Sequence, residues 1–261
     1  MLKKLQALSR WADYFFTIWK EYGLVNCLSF FKRLFTKKNI ILNLPTGKLI
    51  YNHESTGTTV YHLINSLPKL QKTITSLPKE DYKIMIDVGA NCGHFSRFFA
   101  DRFPQTRIFA VEPSPDLFPV IKENLKNKHF TLIPYALADR NGEMEFYLSK
   151  NSQQANSLIK DNVEAFDKEI SILKVQTQTF QAFLSENQID RIDVLKMDCQ
   201  GAEYMILKNA EEVLLKTKYL ILEVSLLDDN MEDLLLLVRR HFPYRKVINS
   251  VSMGADVLFW K

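Results

Sequence analysis

Lys83-Ile84-Met85-Ile86-Asp87-Val88, followed at once by Gly89-Ala90-Asn91-Cys92-Gly93, is the stretch that decides the fold. The first six residues form a continuous apolar run that closes on an acid, as expected of a strand covered on both faces. The Gly-x-Asn-x-Gly turn then opens a predicted helix over 93–103, which Pro104 ends. Outward from there the period alternates. Residues 107–112 read as a second strand, 115–126 as a helix with Pro in its first turn, and 130–136 as a third strand. Residues 143–148 alternate like an inserted edge strand, with 172–175 as its candidate partner. After a helix over 180–186 come a fourth core strand (191–198), a helix (201–215), a fifth strand (219–224) and a last helix (231–241). A hairpin of 244–248 and 257–260 closes the chain. Strands alternating with helices predict an α/β fold, a doubly wound and mostly parallel sheet of Rossmann-like type.

Three turns carry candidate chemistry. In the first, Gly89 allows a tight turn, Asn91 tolerates a left-handed backbone, and Gly93 lets a ligand approach the helix start. No Gly-Lys-Ser/Thr follows, so this is not a P-loop, and the Gly-x-Gly opening of a dinucleotide site is missing. Asp87 suits a ligand carrying an ammonium group; a plain strand–helix turn is the alternative. The second turn is Glu112-Pro113, 19 residues after Gly93, where an acid commonly holds ribose hydroxyls. Asp139 is a weaker candidate for an adenine edge, or equally a turn-forming acid before Asn141-Gly142. The third is Lys196-Met197-Asp198-Cys199-Gln200-Gly201-Ala202-Glu203. Its strand is expected beside the first, so its ionisable groups should meet the first turn at the switch point of the sheet. A structural salt-bridge network is the competing explanation for them. The same strand order predicts that Cys92 and Cys199 border one pocket, 107 positions apart.

Together, Asp-Val-Gly-Ala-Asn-x-Gly, Glu-Pro and Lys-x-Asp-x-x-Gly-Ala-Glu resemble the FkbM family of S-adenosylmethionine-dependent methyltransferases. Pro134-x-Ala136-Leu137-x-Asp139 and Leu222-Glu223-Val224 extend the resemblance over about residues 82–225. It implies a class I methyltransferase fold and transfer of a methyl group to a hydroxyl, often of a sugar or polyketide. Gln200 stands where the family pattern has Glu, and Gln200→Glu is expected to leave activity equal or higher.

Removing a hydroxyl proton calls for a carboxylate or His within reach. Asp198, Glu203 and Glu223 are the candidates, Asp198 first, with Lys196 to orient it. His94 is expected to face solvent or ligand at the helix start. Asp87, Gly89, Asn91, Gly93, Glu112, Pro113 and Asp139 are the candidates for holding the donor. No metal is expected. A nicotinamide-dependent oxidoreductase and a non-catalytic glycan- or membrane-binding protein are the rival readings.

The remaining composition narrows the class. Among 261 residues, 46% are hydrophobic and 25% charged, which excludes a disordered chain. Three widely spaced cysteines give no disulfide framework and favour a reducing, cytoplasmic setting. Residues 1–38 hold eight Lys/Arg against two acids, while 39–261 hold 26 against 28. The body therefore lacks the basic footprint of a nucleic-acid binder. Residues 1–38 read as a basic amphipathic helical arm, 39–80 as a hairpin and helical link, and 81–261 as the methyltransferase domain. Trp11, Phe15, Ile18, Tyr22 and Val25 should share one face of the arm. That arm caps the domain or lies on anionic membrane, at the inner face, through residues 1–36. The polar link 149–171 is expected to cover the acceptor.

Overall fold

The computed structural model describes residues 13–36, 39–51, 62–225, 228–251 and 254–261. The chain divides into two compact units, Met1–Leu70 and Gln71–Lys261.

In the first unit, residues 13–22 and Leu24–Phe35 are helical on either side of Gly23. Strands β1 (Ile40–Leu44) and β2 (Gly47–Tyr51) form an antiparallel hairpin over the two-residue turn Pro45-Thr46. Ile18, Cys27, Phe30, Ile40, Leu42 and Leu49 are fully buried. The Asn26 amide donates to the Asn43 carbonyl at 2.9 Å and its oxygen accepts the Asn43 N–H at 2.8 Å, pinning the second helix to the hairpin. The break at Gly23 resets the helical phase. Val25 is therefore 76% exposed and does not continue the expected stripe, and Trp11 lies outside the described residues.

The second unit contains β3 (Ile84–Val88), β4 (Arg107–Val111), β5 (Phe130–Ile133), β6 (Ala136–Leu137), β7 (Gly142–Ser149), β8 (Ile170–Gln178), β9 (Ile192–Met197), β10 (Thr217–Ser225), β11 (Tyr244–Val251) and β12 (Gly254–Trp260). Seven of them make one sheet in the order β11-β12-β10-β9-β3-β4-β5. Five of them, β10, β9, β3, β4 and β5, are parallel, and the closing hairpin packs its β12 antiparallel to β10. The chain winds from β3 through β4 to β5 on one side, then restarts at β9 on the other. Its switch point thus lies between β3 and β9. Every residue of β9 is buried, Asp193 and Lys196 included, and all of β3 but its first, as expected of strands covered on both faces.

Four local expectations are corrected. The strand expected over 130–136 ends at Ile133, because Pro134 has no N–H to extend the ladder, and Ala136–Leu137 pairs instead with β8. β7 does not join the main sheet. It pairs antiparallel with β8 along Gly142–Ser149, and the two with β6 form a separate three-stranded sheet. The link 149–171 is not one loop, for it contains the helix Lys160–Phe166. The helix expected over 201–215 is two, Glu203–Leu207 and Glu211–Lys216. The second starts afresh, with Glu211 and Glu212 in the first turn, where negative charge meets the free N–H groups.

Candidate active site

Parallel pairing of β3 with β9 sets Asp87 opposite Lys196 and Val88 opposite Met197. The first and third turns therefore leave the sheet side by side. Gly89 makes this possible. Its φ is +79°, and a Cβ there would stand 2.0 Å from the carbonyl oxygen of Asp198. Gly93, at φ +74°, meets only ordinary contacts with Ile121, so it answers to backbone conformation alone.

Each turn is held by a buried carboxylate. Glu112, just past β4, accepts the N–H of Asn91 and of Ser114, both at 2.9 Å. Burial pushes its pKa up to about 7, against the pull of those two hydrogen bonds. Glu203 accepts the N–H of Cys199, and of Gly201 at 2.9 Å. Burial likewise lifts it to about 7. Both Glu203 oxygens thus serve the backbone of the turn. Asn91, at φ +49°, accepts the Cys92 N–H on its own side-chain oxygen and donates to the Gln153 carbonyl at 3.2 Å.

Between the turns lies a charge cluster. The Lys196 ammonium sits 3.2 Å from Asp87 and 3.3 Å from Asp198, with the Phe95 ring 5.8 Å away. Burial works against its charge, but Asp198 and Asp87 outweigh it and hold the pKa above the ordinary lysine value. Asp87 is fully buried and also accepts from the Ser96 hydroxyl at 2.7 Å. It is committed to Lys196 and Ser96 beneath the loop. Asp198 differs in keeping 35% of its side chain open to solvent. Burial opposes its ionisation, yet the Lys196 charge and hydrogen bonds from Glu223, Gln200 and Lys196 hold it below the usual carboxylate range. Glu223, on β10, goes the other way: burial, then the Asp198 charge, push it well above that range.

Gln200 is not a passive departure from the pattern. Its amide nitrogen donates to Asp198 Oδ1 at 2.8 Å and to Glu223 Oε2 at 2.5 Å. Sequence reasoning also missed Ser96, Ser157 and Asn162. Ser96 lies nine residues beyond Asp87 on the following helix, a spacing that a strand–turn–helix reading can find. Ser157 and Asn162 both donate to the Gln200 carbonyl at 2.9 Å from about 40 positions upstream, and no local signal announces that. His94, expected to face solvent or ligand, is buried, which removes the solvent alternative. Asp139 stands 3.4 Å from Lys208 and 3.7 Å from Arg140. Pro113 follows Glu112 directly into the Ser114 turn. Cys92 is buried in the first turn and Cys199 half-buried in the third, as the strand order requires.

The donor set suits a sulfonium nucleoside. Carboxylates stand at three neighbouring strand ends, residues 89–93 contain no Lys or Arg to bind phosphate, and both turns use left-handed backbone to expose their edges. This fold and site define a methyltransferase that takes its methyl group from S-adenosylmethionine. A family model for the methyltransferase FkbM domain matches residues 87–245, more than half of the chain, and the chain belongs to that family. It is 29% identical over 171 residues to the 2-O-methyltransferase NoeI of Sinorhizobium fredii, covering 60% of this chain and 69% of that protein. It is 26% identical over 147 residues to the hexuronic acid methyltransferase AglP of Haloferax volcanii, covering 56% and 57%. Among solved structures, it resembles the precorrin-6Y C5,15-methyltransferase of Geobacter metallireducens with a TM-score of 0.43 and 17% identity, over 74% of this chain and 88% of that one.

Proposed function

We propose that this protein transfers the methyl group of S-adenosylmethionine to a hydroxyl oxygen of a sugar or glycan, with Asp198 as the base. The observation that carries this reading is the placing of Asp198: one-third open, 3.3 Å from the Lys196 ammonium that favours its charge, and beside the Gly89 turn at the switch point. The names of the two relatives quoted above, which act on a 2-hydroxyl and on a hexuronic acid, support the choice of acceptor. Bound S-adenosylmethionine supplies an electrophilic methyl group on a positively charged sulfur. In this reading Glu112 and the 89–93 turn hold the ribose and amino-acid ends, and Pro113 and Asp139 border them. Lys196 orients Asp198 and keeps it charged, Asp87 anchors Lys196, and Glu203 fixes the turn. Alignment of the acceptor and removal of its proton provide the rate.

Asp198→Asn tests it. Binding of S-adenosylhomocysteine should stay within a few-fold, and labelled-methyl transfer into cell-envelope glycans should fall by about 10²–10⁴. Unchanged transfer would refute Asp198 as base, and no transfer by the wild type to any glycan fraction would favour the non-catalytic binding reading. The family favours methyl transfer over the nicotinamide alternative.

A second reading concerns place. Phe16, Trp19, Leu24, Val25 and Leu28 are exposed within thirteen residues, in an arm whose first 38 residues carry eight basic groups and two acids. We infer peripheral contact with an anionic membrane through this face, in a reducing cytoplasm where all three cysteines stay free. Among the described residues no helix is long and apolar enough to cross a membrane. Vesicles rich in anionic lipid should bind the full chain at low salt and release it as salt rises, and Val25→Glu should weaken the binding. No binding at low salt removes this reading.

A further inference from the structure

Gln200 is a residue with side-chain bulk held at φ +54°, a left-handed backbone that L side chains rarely adopt. The surroundings over-determine it. Ser157 and Asn162 fix its carbonyl, and its amide nitrogen reaches two carboxyl groups from different strands, Asp198 after β9 and Glu223 on β10. Both N–H bonds of the amide are spent on these acceptors, which brings the two carboxyl oxygens within a few ångströms of each other. Two carboxylates that close cannot both ionise cheaply. The charged groups around them are unequal. Lys196, shared with Asp87, reaches Asp198 only, whereas Asp256 on β12 and Glu203 add negative charge around Glu223. Cys199, next to Asp198, is held as a thiol by burial first and by Glu203.

We propose that Gln200 is a positioning residue for methyl transfer: its amide clamps Asp198 to Glu223, so that the pair carries one proton and one negative charge, with the charge on Asp198. This rests on the methyl-transfer reading above. In the step it serves, the acceptor hydroxyl proton passes to Asp198 while the O–C bond forms and the S–C bond of the donor breaks. The carboxylate and sulfonium charges cancel, leaving a carboxylic acid and a thioether. Glu223 keeps its own proton throughout and supplies a hydrogen bond to Asp198. A carboxylate at position 200 would remove both N–H donors and bring a third negative charge to a place with one lysine. Gln200→Glu is then expected to impair the site, the opposite of what the family pattern by itself implies.

Carboxyl-carbon NMR on protein labelled at Asp and Glu carboxyls, assigned with Asp198→Asn and Glu223→Gln, reads this without an acceptor. In the wild type at neutral pH, Asp198 should be ionised and Glu223 protonated. Gln200→Leu should move the Asp198 or Glu223 midpoint by about one pH unit or more, a tenfold change in proton affinity. Gln200→Glu should raise the Asp198 midpoint and add a third titration. A purely structural role for Gln200 would move neither midpoint in folded protein. Identical midpoints in wild type and Gln200→Leu overturn the clamp. An ionised Glu223 at neutral pH in the wild type overturns it without any variant, should Gln200→Leu fail to fold. Calorimetric titration with S-adenosylhomocysteine runs alongside. Failure of the wild type to bind it refutes the donor reading, while binding with unmoved midpoints refutes only the clamp.

Discussion

The turn after β3 and the turn after β9 leave neighbouring parallel strands at the same register, and each is tied down by one buried glutamate. They reach the left-handed backbone by different means. The β3 turn uses Gly89, Asn91 and Gly93, while the β9 turn uses Gln200 beside Gly201. The first is made of residues that adopt this backbone at little cost. The second spends strain to aim a side chain, and that side chain gathers two carboxyl groups. In the proposed reading one turn serves binding and the other chemistry. The difference lies in which residue accepts a positive φ, since the supporting glutamates are alike.

The largest break in this comparison should come from Gly89→Ala. Its Cβ would collide with the Asp198 carbonyl and also meet a positive φ, so the β3 and β9 ends must part. A loss of about 3–5 kcal/mol is expected, by denaturant unfolding. Gly93→Ala meets only the backbone penalty, about 1–2 kcal/mol. Equal losses at the two positions would mean that the turns are not packed as described.

Next in size is the pH response of the two supporting glutamates. Each has a folded pKa of about 7 against 4.5 for an ordinary glutamate. A raised carboxylate pKa means that the folded protein binds more protons than the unfolded chain between those values. Stability should therefore fall as pH rises from about 4.5 to about 7 and level off above, by roughly 3 kcal/mol for each group. Glu112→Gln and Glu203→Gln should each flatten the slope. They should part in binding. S-adenosylhomocysteine affinity should rise as pH passes 7, because ligand hydroxyls favour the charged Glu112, and only Glu112→Gln should abolish that rise. Loss of the rise in Glu203→Gln would place the ligand on the β9 turn as well.

The smallest effect is on thiol reactivity. Cys199 is half-buried, with a pKa raised first by burial, and Cys92 is buried. Alkylation should be slow at both, faster at Cys199, and slowed further by S-adenosylhomocysteine. Cys27, buried in the first unit with its thiol on the Phe15 carbonyl, should ignore the ligand. Ligand-independent labelling of Cys199 at a measurable rate would move the donor away from the β9 turn.

Much of this was legible in one dimension. A strand buried in a parallel sheet is largely apolar on both faces, so the run at 84–88 announces itself, and the alternation of strands and helices around it predicts the doubly wound order. Gly89, Glu112 and Asp198 follow from that order, because the ligand edge of such a sheet is its carboxyl end. Where a helix or strand stops is harder to read. Pro134 gives a local signal for the end of β5, but the break between Leu207 and Glu211 depends on packing around it. The pairing of 143–148 with 172–175 was legible and is found, but that these strands stand with β6 in a sheet of their own was not, since alternation marks a half-covered strand without naming its sheet. His94 reads as a helix-start residue facing solvent or ligand, and only the surrounding chain, by burying it, removes the first alternative.

The sequence by itself determined the doubly wound fold, the three turns and the family they mark, because local period and turn chemistry act over a few residues. Only the tertiary structure decided what the charges do. Lys196, Asp198 and Glu223 are three ionisable residues whose protonation depends on burial and on neighbours supplied by β3, β9 and β10. The same holds for Gln200, whose amide joins two carboxyl groups that lie 25 positions apart in the chain. Electrostatic interaction falls off with distance in space and not along the chain, so the meaning of that glutamine appears only once the strands are paired.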